Sequence, residues 1–179
     1  DAGGNVYVAG KATGAFAGIT ATNAISGSDG FVARFTANGV LTYLTYLGGS
    51  GKDTIYSVAV DAPGNVYVAG ETTSADFPVV NGFGVAQSSD GFLSRLNPAG
   101  TLTSSSILGG SNADAAISVS VGSGGVATVA GQTWSPNFPT TVGPALSAFS
   151  DAFVTRIDTS AKAAIVESRF IGSDLEDSA

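Results

Sequence analysis

The chain has 179 residues, 44% of them hydrophobic and 12% charged, which is ample apolar material for a core and excludes a disordered segment. Fourteen acids against seven bases leave a net charge of −7 with no Lys/Arg cluster, so a phosphate backbone is repelled and nucleic acid is excluded as a partner. Cysteine and histidine are both absent, which removes thiol nucleophiles, zinc fingers, Ser-His-Asp triads and histidine-ligated metals together.

No apolar run approaches the roughly 18 to 20 residues needed to cross a bilayer, and nothing resembles a signal peptide at the start. The missing initiator Met points to a processed or excised piece. Twenty-five glycines interrupt the chain too often for long helices, while Val, Ile, Thr, Phe and Tyr fill the gaps. The expected class is all-β.

Asp1 to Gly10 opens the chain with a turn feeding a strand, and Asp61 to Gly70 is nearly the same ten residues. Ser123 to Gly131 is a worn third copy. Phe31, Phe92 and Phe153 fall 61 apart, as do Asp29, Asp90 and Asp151, and Arg34, Arg95 and Arg156. Leu47 and Leu108 keep that spacing, and the third copy gains two residues before Phe170. A repeat that buries its apolar faces only against its neighbours fixes an architecture.

The middle copy predicts four strands. Ile55 to Asp61 is the first, and Ala62-Pro63-Gly64 turns it into the second, Asn65 to Gly70. Pro supplies the φ wanted at the second turn position, and Gly tolerates the positive φ that a type II turn needs next. Both strands read as apolar on both faces, which requires layers on either side. A polar segment, Glu71 to Ser89, then carries Asp76-Phe77-Pro78, matched later by Asn137-Phe138-Pro139. Segments of this length often carry binding surfaces. Gly91 to Leu96 and Thr101 to Leu108 complete the unit around the Asn97-Pro98-Ala99-Gly100 turn.

Four antiparallel strands per unit, joined by Gly-rich links, describe a propeller blade, with a stacked sandwich as the competing arrangement. The units run 1–54, which lacks its innermost strand, 55–115 and 116–179. Together they form one partial propeller domain. An unpaired inner edge invites strand addition, so further repeats or other protein chains are expected to complete the ring.

These residues also carry a family resemblance. Asp-x-x-Gly-Asn-Val-Tyr-Val-Ala-Gly-x-Thr, then Asp-Phe-Pro, Asp-Gly-Phe and Leu-Thr-Tyr-Leu-Gly-Gly, taken together, are similar to the bacterial SBBP-type β-propeller repeat, over essentially the whole chain. The resemblance implies a propeller fold and an extracellular or cell-surface setting, without a shared catalytic site. The third copy departs from it, with Val126-Ala127-Thr128 in place of Asn65-Val66-Tyr67, and the first lacks the Phe-Pro pair.

Candidate chemistry is sparse. Asp and Arg residues repeated in every unit read as devices that hold every unit rather than as a ring of ligands. Asp53, Asp114 and Asp177 read as turn caps rather than calcium ligands, because no dense Asp-x-Asp-x-Asp-Gly loop surrounds them. Gly49-Ser50-Gly51-Lys52 fails as a phosphate loop, since Tyr46 stands where the first glycine is required. Ser28-Asp29-Gly30-Phe31 lacks the full sialidase Asp-box spacing, and Asp174, Glu176 and Asp177 read as a solvated loop. No catalytic, cofactor or metal residues are assigned. Trp134, Phe77 and Phe138 are the candidate partner contacts, with proteins or glycans as the partners. The expectation is a non-enzymatic extracellular scaffold, with an accessory part of a secreted carbohydrate-active enzyme as the alternative.

Overall fold

A computed structural model describes residues 1–21, 23–142 and 150–172; Asp174, Glu176 and Asp177 lie outside the described residues. Among the described residues eleven strands form three antiparallel sheets, and the only helical element is a three-residue 3-10 turn, Ser123–Gly125. No helix among them is long and apolar enough to cross a membrane. The first sheet holds β1 (Val6–Ala12), β2 (Asp29–Phe35) and β3 (Leu41–Leu47) in that order. The second holds β4 (Asp53–Val60), β5 (Val66–Thr72), β6 (Asp90–Leu96) and β7 (Leu102–Leu108). The third repeats it with β8 (Asp114–Val121), β9 (Val126–Thr133), β10 (Asp151–Asp158) and β11 (Ala164–Ile171). Each sheet is an up-and-down blade.

The hairpins form as their residues dictate. Gly64 takes φ +90°, and the Asp61 carboxylate accepts from the Asn65 N–H at 2.7 Å, its side-chain amide and the Tyr67 hydroxyl. Asp1 repeats the arrangement with Asn5 and Tyr7. The third copy has lost both partners, and Gly124 and Gly125, each with positive φ, make the turn instead.

The middle blade has two apolar faces with different partners. On blade 2, Val66, Val68, Phe77, Phe92, Leu96 and Ile107 form one core with Val32 and Leu47 of blade 1. The opposite face, Tyr67, Ala69, Leu93 and Leu108, forms another with Ala127, Val129, Phe153 and Ile157 of blade 3. The stability of each blade therefore lies largely in its neighbour.

Two sequence expectations need correction. The first strand of the unit is not buried on both faces: β4 is mostly half-buried, and Tyr56 is 49% exposed. A bulge between Ile55 and Ser57 pushes Tyr56 out of register, and the same bulge recurs at Ile117 in β8. Of the unit's first two strands, β5 alone is sealed, over its Val66–Gly70 stretch. The polar segment after β5 is likewise no free loop. Val80 bridges Ser105, the Phe83 carbonyl accepts from the Ile107 N–H, and the segment lies along β7, covering the outer edge of blade 2.

Candidate functional site

The residues repeated in every unit come together where one blade passes to the next. Asp29 opens β2 and Asp53 opens β4, and a short parallel bridge between Ser28 and Lys52 sets these strand starts side by side. The Asp53 N–H donates to the Ser28 carbonyl at 2.7 Å, and the Asp114 N–H donates to Ser89 at the same distance one junction later. Asp90 and Asp114 are the second such pair. All four carboxyls are buried.

Asp53 accepts from the Gly49 N–H, the Ser74 hydroxyl at 2.8 Å and the Thr72 hydroxyl. Asp114 accepts in the same way from the Gly110 N–H at 2.8 Å and the Ser135 hydroxyl at 2.7 Å. The other carboxyl of each pair caps its own loop, Asp29 through the Ser26 N–H and Asp90 through the Gln87 N–H. The link between blades is then strung on the next segment. Ser50 and Gly51 donate to Asp76 and Ser74, and Ser111 and Asn112 donate to Asn137 and Ser135. The pair of glycines opening each link is required sterically. A methyl on Gly48 would lie 2.7 Å from the nearer oxygen of Asp29, and one on Gly109 would overlap Asp90.

Electrostatically these sites are strained. Asp90 and Asp114 are held above the ordinary carboxylate range chiefly by burial, with the Asp90 charge adding to the effect on Asp114. Asp29 is raised by burial and then by the charges of Asp53 and Asp76. Asp90 Oδ1 and Asp114 Oδ1 are buried without a hydrogen-bond partner, and the Asp90 charge acts on Asp114 across the junction. One proton held between the two carboxyls would satisfy both atoms and relieve the repulsion of two like charges at one junction.

The repeated arginines pack within their own blades, and one of them also reaches across a junction. Arg34 lies over the Tyr7 ring and Arg95 over the Tyr67 ring, with 5.8 and 5.7 Å to the centroids. Arg95 donates onward to the Thr159 carbonyl of blade 3 at 3.0 Å. In the third unit Thr128 stands where Tyr is missing, and Arg156 turns to Glu167, 3.8 Å away.

The candidate partner contacts divide. Phe77 is 5% exposed against Phe92, and Phe138 is 4% exposed against Phe153, with ring centroids 4.6 and 4.4 Å apart. Both are core side chains that pin the long segment to its blade, so neither offers a contact surface. Trp134 is 36% exposed beside the second junction, its carbonyl accepting from the Asn112 side chain. The junction bonds of Ser74 and Asp76 could have been read from the Ser-x-Asp-Phe-Pro run, which recurs as Ser-x-Asn-Phe-Pro at Ser135. Among the described residues no group of three or more Asp, Glu, His or Cys is placed to hold a metal ion.

No curated protein matches the chain. Residues 42–78 match the SBBP family, described as a beta-propeller repeat. The match runs from β3 to the Phe77-Pro78 pair and so contains the link, Asp53, Ser74 and Asp76 of the first junction. This sequence match and the three stacked antiparallel sheets agree: the chain carries an SBBP beta-propeller repeat at residues 42–78 and is built of propeller-like blades.

Proposed function

We propose that this propeller module is a non-enzymatic scaffold of an extracellular or cell-surface protein, holding blades together and presenting their turns to partner chains or glycans. The observation that carries this reading is where the acids go. Asp1 and Asp61 cap hairpins, Asp158 holds the Ser160 N–H, and Asp76 holds the link at Ser50. Glu71 bonds Tyr56 and Ser89, Glu167 pairs with arginine, and the junction aspartates are sealed from solvent. Glycoside hydrolysis needs two carboxyls facing a sugar about 5 to 10 Å apart in an open cleft. The cleft between blades 2 and 3, bounded by Pro63, Arg95, Gly124 and Ser160, contains Asp61 as its acid, already bonded to Asn65.

The test is incubation of the intact chain with a panel of polysaccharides and aryl glycosides, read for reducing ends and released phenol. No turnover above buffer is expected, and the rate should be the same in Asp61→Asn. Turnover lost in Asp61→Asn or Glu71→Gln would favour the accessory-enzyme reading. Surface proteolysis of cells making the parent protein tests the location, since protection until lysis contradicts it.

A further inference from the structure

The cleft between blades 2 and 3 holds a cation without an ion-pair partner. Its walls include Asp61 and Pro63 of the β4–β5 hairpin, Gly122, Ser123 and Gly124 of the β8–β9 hairpin, and the side chain of Arg95 from β6. Arg95 is half-buried, its guanidinium over the Tyr67 ring at 5.7 Å from the centroid. Nη1 donates to the Thr159 carbonyl at 3.0 Å, Nε is buried without a partner, and Nη2 makes no hydrogen bond among the described residues. Both ion pairs among those residues are made by Glu167, so no carboxylate is paired with Arg95. A guanidinium stays charged at any physiological pH, and one held partly out of water with donors to spare favours an anion.

The repeat explains why this cleft is open. Gly122 stands where blade 2 has Asp61 and blade 1 has Asp1, and Gly124 stands where blade 2 has Pro63. The third copy therefore brings neither a carboxylate nor a ring to its wall of the junction. A methyl group on Gly124 would meet nothing within 4 Å, and one on Gly122 only the Val126 carbonyl oxygen at 3.8 Å. The resulting space of about 360 Å³ lies at the small end of the range for ligand pockets. The Asp61 carboxylate is already taken by the Asn65 N–H, the Asn65 amide and the Tyr67 hydroxyl. Its charge tolerates a singly charged ligand beside Arg95 and penalises a doubly charged phosphate. An acidic protein side chain would bring its carboxylate on a short flexible stem and leave most of the space empty. A pyranose ring fills it, with the exposed Pro63 ring as an apolar platform and the exposed Ser123 hydroxyl within the same wall system.

We infer that this cleft binds a uronic acid residue of an acidic glycan, its carboxylate bonded to the unused donors of Arg95 and its ring seated between Pro63 and the glycines of the β8–β9 hairpin. Such a site rests on the scaffold reading above and gives its glycan partner a chemical class.

Titration of the isotope-labelled intact chain with sodium glucuronate, followed by amide NMR, tests this. The Ser123, Gly124 and Gly125 amides are expected to shift and to saturate in the millimolar range, as befits a small ligand with one charged contact. Glucose and acetate, each lacking one part of the ligand, should bind at least about tenfold more weakly, as should inorganic phosphate. Arg95→Gln should weaken glucuronate binding by about tenfold or more. Gly122→Asp supplies the carboxylate that blades 1 and 2 carry at this position, in extended backbone with φ −92° that any residue adopts. It should keep its fold by circular dichroism and lose glucuronate binding through charge repulsion, so the test stands even where Arg95→Gln does not fold. Unshifted amides overturn the site, as does glucose or acetate binding as tightly as glucuronate, or binding unchanged in folded Gly122→Asp. Tighter binding of a glutamate residue blocked at both ends also overturns it, since the cleft would then fit an acidic protein partner. Release of phenol from an aryl glucuronide would sink the scaffold reading whatever the shifts, whereas unshifted amides without release would sink only the uronate site.

Discussion

Gly70→Ala should destabilise the protein by about 3 kcal/mol, at the upper end of the cost of overpacking a core, while the same change at Gly10 should leave stability within about 0.5 kcal/mol. Gly70 pairs with Ile55 beside the Tyr56 bulge, and a methyl group there would sit inside the Thr54 carbonyl oxygen and 2.8 Å from the Phe92 ring. A carbonyl on the paired strand cannot retreat without breaking the ladder. Gly131 is in the same position against Ala115 and Phe153, so Gly131→Ala should behave like Gly70→Ala. Gly10 has the same neighbours in sequence but no inner strand beside it, and its added methyl would meet only the Phe31 ring at 3.3 Å. That half-exposed ring can move by a few tenths of an ångström. Alanine also restricts the unfolded chain, a gain of about 0.4 to 1 kcal/mol that offsets the residual crowding at Gly10. Urea midpoints at constant m-value measure all three. Equal losses at Gly10 and Gly70 would show that the glycine is needed for the strand itself rather than for the close approach of the inner strand.

The repeat spacing made most of the fold legible. A 61-residue period in Phe, Asp and Arg, together with Pro-Gly and Asn-Pro-Ala-Gly turns, located the blades, and the strands of the middle unit fall within two residues of their expected bounds. What escaped the sequence reading depends on register and on neighbours. The bulge at Tyr56 shifts one strand against another and leaves no mark in an alternating pattern that reads as apolar on both faces. Phe77 sits in a polar segment beside a proline, so it looks like a loop residue, yet the segment folds back over its own blade and buries the ring. The carboxyl pairs were the least visible. Asp90 and Asp114 are separated by two whole strands, and each alone reads as a turn cap. Each aspartate does cap a loop or link, but their juxtaposition is a product of blade stacking.

That juxtaposition carries the second large effect. Asp114→Ala should cost about 3 kcal/mol, because the Gly110 N–H and the Ser135 hydroxyl lose their buried acceptor. Asp90→Asn should behave oppositely at neutral pH. The amide oxygen can still accept from the Gln87 N–H, and the amide N–H can supply to Asp114 the donor that wild type obtains only by binding a proton. The sign follows from linkage. Both folded carboxyls lie above the unfolded value of 3.8, so the stability the pair gains from its proton is complete below 3.8 and declines as pH rises through the folded values. Asp29 acts in the same direction. Asp76 and Asp158, held low by their hydrogen bonds to Ser50 and Ser160, act in the other and lose their contribution as pH falls below 3.8. The difference between Asp90→Asn and wild type isolates the pair from these opposing groups. It should grow in favour of the variant as pH is raised from 3.8 through the folded range and then level off. The groups facing the pair are the Gln87, Ser88 and Gly110 amides and the Thr133 and Ser135 hydroxyls, none of which titrates in this window, so the slope belongs to the carboxyls alone. Urea midpoints of both proteins from pH 4 to pH 8 give the curve. Parallel profiles across that range would mean that no proton is held between the blades, and that the junction stands on its Ser, Gly and backbone bonds instead.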